Sequence, residues 1–133
     1  MFLVYQARGP GRGLTVFCSD EFKISAKAMH AKDPDRRSSH FANCNAQVLR
    51  FADGEQLSSE SFRKEDIGYA FRSGQLRFYG VYPKKHQGAF VLSHCVWKSW
   101  KKLRSTDIDL MDKCQKSFDT LKQLPKLPGS ENA

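Results

Sequence analysis

Apolar positions along the chain change period several times, and each change marks an element. Phe2 to Ala7 and Leu14 to Cys18 are β-prone runs joined by Arg-Gly-Pro-Gly-Arg-Gly. Glycines there supply positive φ and the proline stops pairing, which predicts a hairpin. Ser19 is placed to cap a helix that carries Asp20 and Glu21 in its first turn and Phe22, Ala26 and Met29 on one stripe, before Asp33-Pro34-Asp35 ends it. A second helix is predicted over Arg37 to Phe51, with Phe41, Cys44, Val48 and Phe51 on one face. Glu55 to Asp66 has no period and only Leu57 and Phe62 to bury, so it reads as a long connection or a short extra helix.

From Gly68 the pattern turns to strands: Tyr69 to Arg72, a Ser73-Gly74 turn, Leu76 to Tyr82, a polar loop from Pro83 to Gly88, and Ala89 to Trp97. A last helix is predicted from Ser105 to about Leu124, capped by Ser105 or Thr106, with Ile108, Met111, Cys114, Phe118 and Leu121 as its buried stripe. Pro125, Pro128 and Gly129 then leave a flexible C-terminal tail over 125–133. The expected architecture is a single α+β two-layer domain over 1–124, with the helices against one face of an antiparallel sheet.

Composition narrows the class. At 133 residues with 40% apolar and 27% charged positions, the chain is sized for one soluble core. It has no apolar run near the ~20 residues of a membrane span, and its opening Met-Phe-Leu-Val-Tyr reads as a strand and not as a secretory leader. The expected location is cytoplasmic. Cys18, Cys44, Cys95 and Cys114 are too widely spaced for a zinc ribbon or a disulfide scaffold, so reduced buried thiols and no metal are expected. His40 and Cys44 make at most a weak two-ligand pair. Gly9, Gly11 and Gly13 lack the ending of a nucleotide loop, so no cofactor is expected.

Charge changes the picture more. Ile67 to Thr106 contains no Asp or Glu but holds eight basic residues, Arg72, Arg77, Lys84, Lys85, Lys98, Lys101, Lys102 and Arg104, and half of the aromatic rings. Outside this stretch acids and bases balance, so the formal charge of +8 belongs to it. An acid-free basic field interleaved with rings suits single-stranded RNA, whose phosphates seek cations and whose bases stack. Lys84, Lys85, Trp97, Trp100, Lys101, Lys102 and Arg104 are therefore candidate RNA contacts. Arg77 and Tyr79 share one strand face, and His94 runs into the basic tail that begins at Lys98. Cutting RNA without a metal needs a base for the 2′-hydroxyl, an acid for the 5′-oxygen and cations for the transition state. Arg77, Tyr79, His94 and Lys98 supply those types.

A strand, a helical hairpin, Gly74-x-x-Arg77-x-x-Gly80 within a three-strand meander, and Val91-Leu92-Ser93-His94-Cys95-Val96-Trp97-Lys98 running on to Lys101-Lys102 before a closing helix together resemble the RelE/HigB/ParE superfamily of toxins, nearest its HigB-like, phage-encoded branch. The likeness spans about Leu14 to Leu124, and its specific part is Phe71 to Lys102. It implies a RelE-like fold with an N-terminal helical hairpin and a C-terminal helix. It also implies a toxin of a type II toxin–antitoxin system, an endoribonuclease that cleaves mRNA on the ribosome and is neutralised by a cognate antitoxin. By that likeness Arg77 stands at the scissile phosphate, His94 matches the fourth-strand histidine, and Lys98 and Lys102 match terminal basic positions. Val96 stands where members often carry Phe, and Ser99 where they carry a second Lys. Two other readings stay open: a ParE-like protein-binding inhibitor of DNA gyrase, and a non-catalytic RNA- or ribosome-binding module.

Overall fold

The computed structural model describes residues 1–6 and 13–125. Nine elements follow in order: β1 (Phe2–Gln6), β2 (Thr15–Cys18), α1 (Asp20–Lys32), α2 (Pro34–Ala52), β3 (Phe62–Glu65), β4 (Gly68–Ser73), β5 (Leu76–Val81), β6 (Ala89–Trp97) and α3 (Ser105–Asp119). They form one six-stranded sheet in the order β1-β2-β6-β5-β4-β3. The fold class is α+β as expected. The turn of the β1–β2 hairpin and all but the first residue of the C-terminal tail lie outside the described residues.

Four expectations need correcting. The chain begins with strands, so the helical hairpin of α1 and α2 follows β1 and β2 and is not N-terminal. The sheet is mixed, because β2 pairs in parallel with β6; the intervening helices and meander supply the long crossover that a parallel pair requires. Helices occupy both faces of the sheet. Phe22, Ala26 and Met29 of α1 and Cys44, Val48 and Phe51 of α2 pack with Phe71, Phe78 and Phe90 on one side, while Met111, Cys114 and Phe118 of α3 pack with Phe17, Tyr79 and Val91 on the other. Finally, 62–65 is neither loop nor helix but the edge strand β3, in register with β4 from Phe62 opposite Phe71 to Glu65 opposite Gly68. Its charged Arg-Lys-Glu hid it from an apolar pattern, and charge is what keeps an exposed edge from pairing further.

Local chemistry sets the boundaries. Ser19 Oγ accepts from the Phe22 N–H at 3.1 Å and donates to the Ser93 carbonyl at 2.6 Å, so the α1 cap also ties that helix to β6. Asp33 ends α1 and caps α2, its carboxylate accepting from the Arg36 N–H at 3.4 Å. Pro34 then occupies the first turn of α2, where its missing donor costs nothing, so α2 starts earlier than its apolar period shows. Neither Ser105 nor Thr106 caps α3; Arg104 does, its N–H reaching Asp107 Oδ2 at 3.4 Å. On the two-helix face Phe51 is the hub, with ring centroids 5.3 Å from Phe71 and 5.0 Å from Phe90, and each such buried ring contributes about 2–3 kcal/mol.

Gly80 is where strand β5 meets the ring of Phe90. A Cβ at that position would lie 2.4 Å from the ring and 2.8 Å from the Val91 carbonyl oxygen. Since the strand backbone cannot retreat, Gly80→Ala is expected to lower stability by about 1–3 kcal/mol, read as a shift of the urea midpoint at unchanged slope.

Candidate functional site

Strand register decides which basic side chains meet. Arg72 of β4 faces Arg77 of β5, and Arg77 faces Val96 of β6. Arg63 of β3 pairs with Ala70, two residues from Arg72, so Arg63, Arg72 and Arg77 share the α3 face of the sheet. Lys98, two residues beyond Val96, joins them. Helix α3 starts at Ser105 and covers Tyr79 and Val81, leaving these cations together beyond its N-terminal end. Glu65, also on this face, is the carboxylate among them and is 3.3 Å from Arg63.

Arg77 is 8% exposed, yet forms no ion pair among the described residues. Its Nη1 donates to the carbonyls of Gly74 at 2.8 Å and Leu76 at 2.9 Å, and its Nε–H has no acceptor. The β4–β5 turn thus holds the guanidinium without neutralising it. Gly74 permits that turn with φ of 56°, and a Cβ there would strike the His40 ring at 2.6 Å. Gln75 fixes the next cation, because its carbonyl accepts from the Lys98 N–H at 2.6 Å and its side-chain amide donates to the Lys98 carbonyl at 3.0 Å. Burial and then the charge of Arg72 lower the pKa of Arg77. Burial and then Arg77 lower that of Lys98.

His94 and Tyr79 lie beneath this group rather than in it. Gly80 pairs with Leu92 and Tyr79 with His94, so Ser93 is an extra residue in β6. That bulge breaks the strand's alternation and turns His94 to the α3 face, whereas Phe90 and Leu92 point to the α1–α2 face. The imidazole is 1% exposed. Its Nε2 donates to Asp107 Oδ1 at 2.9 Å, and its Nδ1 lies 2.9 Å from the Ser93 hydroxyl. Both ring nitrogens therefore have a hydrogen-bond partner within the protein. Tyr79 is stacked on it with centroids 4.9 Å apart and is fully buried. Burial, reinforced by the charge of Asp107, pushes its hydroxyl up to about 12.

The remaining candidates separate. Arg104 is spent on Asp107, with Nε 3.2 Å from Oδ2 and Nη2 3.3 Å from Oδ1, and its guanidinium lies 3.6 Å from the centroid of the Trp100 ring. Trp97 faces α2, 4.6 Å from the Arg37 guanidinium and 5.6 Å from the His40 ring. Lys84 and Lys85 sit at the other end of the β5–β6 hairpin, where the Asp119 carboxylate accepts both their backbone N–H groups. Lys101 and Lys102 are exposed on the segment between β6 and α3. The surplus charge of the 67–106 stretch is therefore dispersed: of the expected residues Arg77 and Lys98 share the cationic group, while Tyr79 stacks on His94 beneath it and Arg104 lies over Trp100. Arg63, Glu65, Arg72 and Gln75 complete the site and were missed. The i, i+2 spacing of Arg63 and Glu65 was their only signal, and it means nothing until 62–65 is known to be a strand.

All four cysteines are free and buried, and burial holds the thiols of Cys44 and Cys114 up at about 12. No group of three or more metal-ligating side chains occurs among the described residues, and none of their helices is long and apolar enough to cross a membrane. No family model matches the chain, and no curated protein or solved structure matches it.

Proposed function

We propose that this chain is an endoribonuclease toxin of the RelE/HigB/ParE type, a member of a type II toxin–antitoxin pair that cuts mRNA on the ribosome without a metal. The observation that carries this reading is the recessed, un-neutralised guanidinium of Arg77, held by backbone carbonyls amid Arg63, Arg72 and Lys98. A cation desolvated without a counter-ion is costly to the fold, and an anionic ligand is what offsets that cost. The order strand, helical hairpin, meander and closing helix supports the same reading.

In this site Arg77 and Arg72 hold the scissile phosphate and stabilise the charge that grows on it. Glu65 takes the proton of the 2′-hydroxyl as that oxygen attacks phosphorus, and the Lys98 ammonium gives a proton to the departing 5′-oxygen. The products are a 2′,3′-cyclic phosphate and a 5′-hydroxyl. His94 and Tyr79, being enclosed, position the sheet under Arg77 and do not exchange protons with substrate.

Induced expression is expected to stop incorporation of labelled amino acids and to create new transcript 5′ ends in primer extension. Unchanged growth and transcripts would overturn the reading. Burial of His94 and Tyr79 favours one rival, a non-catalytic RNA- or ribosome-binding module. That module would bind RNA with a steep salt dependence and leave it intact.

A further inference from the structure

A cleft of about 320 Å³ opens between α1 and the end of β6. Strand β2 stops at Cys18, opposite Leu92, so β6 beyond that point has no strand neighbour on this side. Trp97 and Trp100 line the cleft over Met29, with Lys32 and Arg37 at its margin and no carboxylate in its lining. The Nε–H of Arg37 and the Nε1–H of Trp100 have no acceptor. Indole walls, unsatisfied N–H donors and a purely cationic margin suit a flat, acceptor-rich, negatively charged ligand.

Gln75 ties α2 to the sheet-face cations next to this cleft, where the Arg36 guanidinium lies 5.6 Å from the Trp97 ring. Arg36 Nη2 is 3.4 Å from the Gln75 side-chain oxygen, and the same side chain's amide holds the Lys98 carbonyl. Trp97 and Lys98 are consecutive and point to opposite sides of β6. We propose that the cleft binds a base of the same single-stranded RNA whose phosphate lies at Arg77 and Lys98, the strand passing round the end of β6 beyond Cys95, where Ser25 of α1 makes its last bond to that edge. This rests on the RNA reading above and adds a base-binding subsite on the opposite side of the sheet. An acidic peptide would satisfy the cations, but continuity with a phosphate-holding face favours nucleic acid.

The test uses 2′-O-methyl hexauridylate, which cannot be cut because its 2′-oxygen is blocked. Trp97 and Trp100 are the protein's two tryptophans, so intrinsic fluorescence reports the cleft directly. Binding is expected to quench it. Ala28→Phe, which fills the cleft from an exposed position on α1, is expected to weaken binding about tenfold, the loss of one stacked base. Arg77→Met is expected to weaken binding while keeping the quench at saturation. Arg77-dependent binding without quenching, or wild-type affinity in Ala28→Phe, overturns the subsite and leaves the sheet-face reading standing. Quenching by a Glu-rich peptide that the hexamer does not displace also overturns it, as a protein site. A hexamer that fails to bind at all overturns both.

Discussion

Arg77→Met is expected to slow RNA cleavage about a hundredfold or more while leaving the fold as stable as before or slightly more so. The guanidinium is nearly enclosed, has no carboxylate within ion-pair distance among the described residues, and has Arg72 directly opposite in the next strand. Methionine fills similar volume without desolvating a charge, at the loss of two hydrogen bonds to the Gly74 and Leu76 carbonyls. Those bonds and the charge penalty are of similar size, about 1–2 kcal/mol each way, so the urea midpoint should move little. Loss of a cation aimed at a developing phosphorane charge costs about a hundredfold or more in rate. Affinity for uncut RNA should also fall, and its salt dependence should flatten by about 0.7 in the log–log slope for the one phosphate contact removed. Arg77→Lys keeps charge but loses the planar fork and its tether, and is expected to recover only part of the rate. Full toxicity in Arg77→Met, or unfolding of that variant, would remove Arg77 from the chemistry and return it to a structural role.

This contrast between stability and activity shows what the amino-acid pattern could and could not reveal. Helices α1, α2 and α3 were legible because Phe22, Ala26 and Met29, or Met111, Cys114 and Phe118, recur at a helical period that only burial explains. The meander was legible from β-branched and aromatic runs and from the Ser73-Gly74 turn. Strand β3 was not, because an edge strand with Arg63, Lys64 and Glu65 carries the polar pattern of a loop. Without β3 the site lost Arg63 and Glu65. The face that His94 occupies was not legible for a different reason: strand parity assigns a face by counting, and the extra residue Ser93 shifts the count by one. Basic residues clustered in sequence also scattered in space. A β-hairpin places Lys84 and Arg77 at opposite ends, and the sheet itself separates Trp97 from Lys98. What survived is the pairing of Gly74 with Arg77 in the turn-centred motif, which acts through a local backbone contact that sequence proximity guarantees.

Asp107→Ala is expected to have the largest effect on stability. The carboxylate is fully buried, receives His94 Nε2–H at 2.9 Å, and pairs with both Nε and Nη2 of Arg104 at the start of α3. Burial alone would raise its pKa, but hydrogen bonds from His94 and Arg104 outweigh that and hold it below the ordinary carboxylate value of 3.8. Because the folded value is depressed, the resulting stabilisation is complete above about pH 4 and is lost as pH falls through the folded pKa. Removing the carboxylate strands a buried imidazole N–H and unpairs Arg104, at a cost of about 3–5 kcal/mol. Most domains have only about 5–15 kcal/mol in total, so the urea midpoint should collapse and the acid-induced loss of stability should shrink with it. His94→Phe combined with Asp107→Leu replaces the pair by apolar groups, costs β6 only the Ser93 hydroxyl's bond to the imidazole, and is expected to restore most of that stability. The same double variant decides the role of His94. If the imidazole only supports the sheet beneath Arg77, RNA cleavage survives its replacement within about tenfold, whereas a proton-transferring histidine would take about a hundredfold or more of the rate with it. A refolded but inactive double variant would therefore return His94 to the reaction and displace Glu65 and Lys98 from the roles proposed for them.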